Sequence, residues 1–563
     1  MSASRSRPGA RARLLVVATA LALVAACTSG DAGEQEPAPA SPGPGASSSR
    51  SPTPTPAPTA LDWGPMPAEL EQARAVVRSW TPEQLAGGVL VPRYDGTDPE
   101  TAAVLVSELH AAGVIMMGDN VASSEQVLAT AQAVQQAAAA DGRDWPAVVS
   151  VDQEGGRVAR LEGLATAFPT FMSAGAAVAG ARSRGEEAAG QEVVRQGTRT
   201  AGEQLRALGF TWVFAPAADV TTGPSDPTIG SRSASDDPAL AAAAVSAAVQ
   251  GYRDAGIVPV AKHYPGHGSV PVDSHEGLPV QSASMDELRA RDLIPFSAAA
   301  QAGVPAVMMS HIAADAFDPG VPSTLSPKAY ASLRADARFE GLAVTDALDM
   351  AAVTEGQGGA GAAVTALQAG ADVLLMPLDA RAAHAALTSA IDDGTVPRER
   401  AQEAAAKVVA VQRWQARSAA ASPAGPAVTE AAGAASQALS SAAVTLVDGP
   451  CSGALVEGAV QVEGGTTADR ALFAEATTAA GLQTGSGAVV RLLGTGTSTG
   501  SGEVVVALDA PFGLGTARGS TATLAVYGRT PGAFAALLDV LTGDATAQGA
   551  LPVSIGRTTS TDC

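Results

Sequence analysis

From about residue 62 the chain alternates short, unbroken apolar runs with longer alanine-rich segments of helical spacing. Eight runs stand out: VLVP at 89–92, GVIMMG at 113–118, AVVSVDQ at 147–153, WVFAPAADV at 212–220, VPVAKHY at 258–264, AVMMSHI at 306–312, LAVTDAL at 342–348 and DVLLMP at 372–377. A strand with one wet face alternates apolar and polar residues. A run that is apolar at every position reads instead as a parallel strand covered on both faces. Eight such runs separated by helical segments predict a (β/α)8 TIM barrel, an α/β fold, with a doubly wound open sheet as the alternative. An early helix is announced by TPEQ, where Thr81 caps, Pro82 fits the first helical position and Gln84 completes a capping box.

Polar residues interrupt the pattern at one end of the runs. The third ends in Asp152 and continues EGGRVARL; the fourth runs into Asp219, with Arg232 in the loop beyond. The fifth ends in Lys262 and His263, the sixth in His311 and the seventh in Asp346. Active sites of barrels form at the carboxyl ends of the strands. A charge buried in a barrel costs several kcal/mol unless it is paired or functional. One such residue reads as a buried ion pair; five strand ends together point to a shared site.

Composition narrows the class. Of 563 residues, 46% are hydrophobic and 16% charged, with a net charge of −21, which suits a soluble globular body and lacks the clustered basic residues of a nucleic-acid partner. The amino terminus departs from this. Residues 1–27 combine an arginine-rich start with LLVVATALALVAA, an apolar stretch too short to span a bilayer comfortably, and end in VAAC at Cys27. Small residues before a cysteine at that position resemble a bacterial lipobox. The resemblance implies lipidation of Cys27, a membrane partner and an extracytoplasmic protein anchored to the outer face of the cell membrane. Residues 28–60 are rich in proline, serine and threonine and predict an extended linker. The globular body is then expected from residue 61 onward. Cys451 and Cys563, the remaining cysteines, are candidates for a disulfide.

The segment KHYPGHGSVPVDSH, residues 262–275, holds three of the six histidines. His263, His267 and His275 converging on zinc is one reading, although Pro265 and Gly266 break any helical metal motif. A phosphate cradle is another, but no Walker pattern is present. The third is acid–base chemistry, with His275 carrying the proton and Asp273 fixing its tautomer. Such a dyad needs a nucleophile from elsewhere. Asp346, at the end of the seventh run, suits a carboxylate attacking an anomeric carbon; the alternative for it is a helix N-cap. Asp349, three residues on, reads as the start of the next helix.

In that order on those strands, VDQEGGRVARL, KHYPGHGSVPVDSH and VTDALDM resemble family 3 glycoside hydrolases of the bacterial β-N-acetylhexosaminidase branch, over roughly residues 65–415. The resemblance implies a retaining exo-acting enzyme that removes terminal β-GlcNAc from peptidoglycan-derived or chitin-type fragments. Asp346 would be the nucleophile, His275 the general acid/base and Asp273 its partner. Asp152, Arg160, Arg232, Lys262 and His263 would bind the sugar. It implies no metal and no organic cofactor, a barrel domain over 61–420 and a smaller α/β sandwich over 425–563, where LLDVLTGDATAQGALPVSI resembles the closing segment. A GlcNAc-containing glycan is the expected partner, with no nucleic acid, and the protein is expected to be a monomer. Two rivals stay open: a phosphorylase of the same branch, and a solute-binding lipoprotein, which the lipobox and linker fit equally well.

Overall fold

The computed structural model describes residues 59–270, 277–422 and 428–557. All eight apolar runs form strands: β1 Leu90–Val91, β2 Gly113–Met116, β3 Val148–Val151, β4 Trp212–Val213, β5 Val258–Tyr264, β6 Ala306–Met309, β7 Leu342–Thr345 and β8 Leu374–Leu375. Neighbours from β2 to β7 pair in parallel, as do β1 and β8. The ring closes at two seams. Ala112 N and Ile115 N donate to Leu90 O and Pro92 O on one side, and Val344 bridges Val373 on the other. A closed ring rules out the open sheet. Every residue of β2, β3, β5, β6 and β7 is buried, which is why these strands read as continuous apolar runs. The helix at Pro82–Gly87 starts as TPEQ predicts, with Thr81 and Gln84 forming the capping box.

A long helix, Arg398–Ala421, closes the amino-terminal end of the barrel. Arg400 Nη2 donates to Asp372 Oδ1 (2.6 Å) just before β8, Gln412 Nε2 to Pro146 O (2.8 Å) before β3, and Gln415 Nε2 to Gly256 O (2.9 Å) before β5. Asp372 is fully buried there. Burial raises its carboxyl, but Lys407, Arg400 and Arg334 outweigh that and hold it at about 2. The charge at this end of the barrel is therefore a structural ion cluster.

The carboxyl-terminal part is an α/β unit built on a six-stranded sheet: β9 Thr445–Asp448, β10 Ala459–Gly464, β11 Gln483–Thr484, β12 Ala488–Leu493, β13 Ser501–Ala507 and β14 Arg518–Ala525. Their order is β9-β14-β13-β12-β10-β11, and only the β9–β14 pair is antiparallel. Successive residues of a strand face opposite sides. Val504 and Val506 pack with Phe473 and Phe534 of the unit's own helices, while Val505 and Ala507 pack with Met172 and Ala176 of the barrel helix Met172–Ser183. One face of this sheet is thus closed by its own domain and the other by the barrel.

Candidate active site

Asp152 follows β3 directly. Beyond it a short hairpin pairs Gln153–Gly155 with Val158–Ala159. Its turn needs glycine twice: Gly155 and Gly156 have φ of 95° and 55°, and a Cβ on Gly156 would lie 2.5 Å from Thr170 Cγ2. Gln153 Oε1 accepts from Arg160 N (2.8 Å) and Leu161 N (3.3 Å), so its side chain closes the hairpin and fixes where Arg160 begins.

Cations and carboxylates interlock over the barrel mouth. Lys262 Nζ lies 2.5 Å from Asp152 Oδ1 and 2.8 Å from Glu154 Oε1. Arg232 grips Glu154 with both prongs, Nε to Oε2 at 2.9 Å and Nη2 to Oε1 at 2.8 Å. Burial pushes the Glu154 carboxyl up, but Arg232 and Lys262 more than reverse this and hold it well below the usual carboxylate range. Lys262, whose charge burial disfavours, is held protonated by Asp152 and Glu154.

Asp219, fully buried after β4, organises the histidines of the next strand. Its Oδ2 lies 2.8 Å from His263 Nδ1, and its Oδ1 accepts from His263 N (3.2 Å) and His267 N (2.7 Å). A carboxylate on Nδ1 places the proton there. His263 Nε2 faces Arg232 Nη2 at 3.3 Å. The His263 and His267 rings stand edge to face, 5.9 Å apart. Among the described residues no three His, Cys, Asp or Glu groups converge as a metal site.

Asp346 follows β7. Its backbone N donates to Met309 O (2.9 Å), and its Oδ1 accepts from Ala347 N (2.8 Å). It is not a helix cap, since the next helix runs Ala351–Gln357 behind Met350. Burial raises its carboxyl, but His311, His263, the Ala347 N–H and Lys262 together lower it below the usual range, so it is ionised at neutral pH. His311 Nε2 sits 2.8 Å from Ala347 O and steadies the turn that carries Asp346. Asp349 does not begin a helix either; it pairs with Arg93 at 3.6 Å.

These groups enclose a cavity of about 320 Å³. Asp152, Arg160, Arg232, Lys262, His263 and Asp346 all line it, against an apolar wall that includes Met308, Met350 and Leu375. Six residues singled out in the sequence therefore meet in one pocket. Asp273, His275, Cys27 and Cys563 lie outside the described residues; Cys451 is disulfide-bonded. Sequence reasoning passed over Glu154 and Arg93, and gave Asp349 only the start of a helix. Nothing in the sequence marks Glu154, which stands beside Gly155 and Gly156 as a turn residue would.

A closed (β/α)8 barrel whose strand ends aim carboxylates and cations into one pocket defines the chain as a TIM-barrel protein with a charged site at the carboxyl ends of its strands. Residues 70–411 match the glycosyl hydrolase family 3 N-terminal domain, and the chain belongs to that family. It is 33% identical over 299 residues to beta-hexosaminidase A of Pseudoalteromonas piscicida, a match covering 51% of this chain and 49%, about half, of that relative's length. It is 34% identical over 318 residues to the beta-hexosaminidase LpqI of Mycobacterium tuberculosis, covering 55% of this chain and 77% of that one. Among solved structures, a family 3 beta-N-acetylglucosaminidase from Paenibacillus sp. str. FPU-7 superposes with a TM-score of 0.73 at 27% identity, over 85% of this chain and 100% of that one.

Proposed function

We propose that this protein is a retaining, exo-acting β-N-acetylhexosaminidase that removes terminal β-GlcNAc from peptidoglycan-derived or chitin-type fragments. The observation that carries the reading is an ionised, half-buried Asp346 lining a pocket beside Arg160, Lys262 and Asp152. Lys262 and Asp152 are already paired with each other, whereas Arg160 Nε has no hydrogen-bond partner among the described residues. In the first step the Asp346 carboxylate bonds to the anomeric carbon. The bond from that carbon to the leaving oxygen breaks, and His275, steadied by Asp273, gives that oxygen its proton. In the second step water attacks the same carbon, its proton passes to His275 and Asp346 is released. Asp152, Arg160, Arg232, Lys262 and His263 hold the sugar. The names of the similar proteins support the substrate class.

The same reading makes the protein a monomer, lipidated at Cys27 and held at the outer face of the cell membrane. Among the described residues no helix is long and apolar enough to cross a membrane. Metabolic labelling with a fatty-acid analogue tests the anchor: label on native protein and none on Cys27→Ser is expected. The activity is tested on the full chain with aryl β-GlcNAc and β-Glc substrates, with and without phosphate. Hydrolysis of the first alone is expected. A sugar phosphate as product would establish the phosphorylase, and no turnover the solute-binding protein.

A further inference from the structure

We propose that a second glycan-binding site lies at the opposite end of the barrel, built on the indoles of Trp80 and Trp145. The inference rests on the glycan-hydrolase reading for the class of its ligand. The two rings stand 6.3 Å apart at 28° and form the wall of a cavity of about 250 Å³. Trp80 lies in the chain leading to β1 and Trp145 in the chain leading to β3. His110 comes from the turn before β2, and Arg413 from the helix that closes this end of the barrel.

Both indoles pack in part against the barrel's hydrophobic cluster, and core packing takes up only part of each ring. The chain has five tryptophans, and the other three are core residues: Trp63, Trp212 and Trp414 are 5%, 0% and 6% exposed. Trp80 and Trp145 alone are left half-buried, and they are left side by side. An indole with one apolar face and a wet edge is the usual furniture of a recognition surface. The polar rim is already in place. His110 Nδ1 lies 2.7 Å from Asp141 Oδ1, and Arg143 holds the other oxygen of Asp141 at 2.9 Å. Arg413 pairs with Asp144 at 2.7 Å while lying 5.0 Å over the Trp145 ring.

This chemistry selects a sugar. The rim carries two carboxylates and two guanidiniums in pairs, so there is no surplus charge to draw an anion or a cation. What remains is an aromatic wall with hydrogen-bonding groups at its edge. A pyranose ring matches it, with a C–H face for the indoles and hydroxyls for the carboxylate and guanidinium edges. The cavity falls just below the roughly 300 Å³ at which drug-sized pockets begin, so it encloses one ring of a longer chain. Because the site lies at the amino ends of the strands and the mouth at their carboxyl ends, a polymer held here does not compete with substrate. It raises the concentration of chain ends around the enzyme instead.

The test uses the full chain carrying Asp346→Asn, so that glycan is not turned over, labelled with 5-fluorotryptophan and followed by fluorine NMR. The probe is chitotriose. The Trp80 and Trp145 resonances should shift saturably, while those of Trp63, Trp212 and Trp414 stay in place. Trp145→Ala should weaken the titration seen at Trp80 by about tenfold. Unmoved Trp80 and Trp145 resonances, or a midpoint that Trp145→Ala leaves unchanged, would overturn the proposal; the titration with Trp145 intact does not depend on that variant folding. Turnover of an aryl β-GlcNAc by the native chain is read separately. Turnover with unmoved indoles sinks this site alone, and shifted indoles without turnover sink the catalytic reading alone.

Discussion

Glu154 and Asp346 are both acidic, both line up with cations in the barrel mouth, and both are depressed in pKa, yet their surroundings give them different work. Glu154 is saturated by Arg232 and Lys262, so it has nothing left to offer a substrate. Asp346 takes one backbone N–H and faces the pocket. Asp346→Asn should therefore lower turnover by about 10³-fold or more, as loss of a covalent nucleophile does, with little change in the unfolding midpoint because the amide oxygen still accepts from Ala347. Steady-state kinetics and thermal unfolding check both halves. Glu154→Gln should do the reverse in emphasis, destabilising by about 3–5 kcal/mol because Arg232 and Lys262 stay buried without their charge partner. The sign with pH follows from the lowered carboxyl: its stabilisation is present above the unfolded value near 4 and is lost as pH falls through the folded one. The variant's deficit in denaturant unfolding should thus be full at pH 7 and shrink on strong acidification. A constant deficit would refute the charge argument. Lys262, His263 and Asp346 were legible because each ends an apolar run. Glu154 was not, since next to Gly155 and Gly156 it looks like a solvated turn residue, and its burial arises only when the hairpin folds back over Arg232.

At the scale of elements, the barrel strands were legible because burial on both faces removes every polar position from them. The supports under the loop after β5 were hidden, because they come from distant sequence. Asp292, at the start of the helix Leu293–Gln301, is 2% exposed and lies under that loop. A Cβ on Gly266 would stand 3.0 Å from its Oδ1, which has no hydrogen-bond partner among the described residues. Burial pushes this carboxyl up to about 6, with Arg291 opposing and Asp219 adding to the rise. For an acid raised on folding, stability is full below the unfolded value near 4 and is lost as pH climbs to the folded one. Asp292→Asn keeps the shape without the charge. It should gain about 3 kcal/mol over the native protein at pH 7 and almost nothing at pH 3. Urea unfolding at the two pH values checks this; an equal effect at both would show that the carboxyl is not the source of strain.

Across the whole molecule, a domain after the barrel was implied by the family resemblance, but the docking of the sheet on the barrel was not legible. Strands apolar on both faces announce two coverings without saying that the second is another domain's helix. The junction is close. Thr170 N and Oγ1 both donate to Tyr527 O at 2.9 Å, Ser235 Oγ donates to Pro552 O, and Ala550 N to Ala176 O at 3.1 Å. A Cβ on Gly175 would fall 1.8 Å from Ala234 O and 3.1 Å from Pro552 Cβ. The contact also reaches the mouth. Thr170, held by Tyr527, packs on Gly156 at the turn of the hairpin, and that hairpin carries Glu154 and leads into Arg160. A chain ending at residue 422 should therefore do two things. It should expose Met172 and Ala176, read as increased binding of an apolar dye and a lower unfolding temperature, because their cover from Val505, Leu514 and Ile555 is gone. It should also lose about tenfold or more in kcat/KM on an aryl β-GlcNAc, mostly through KM, because a loosened hairpin misplaces Arg160 while leaving Asp346 on its strand. Gly175→Ala in the full chain should move both readouts in the same direction by less. If the truncated barrel keeps the native kcat/KM, the sheet domain does not brace the hairpin, and its contacts with Thr170 serve stability alone.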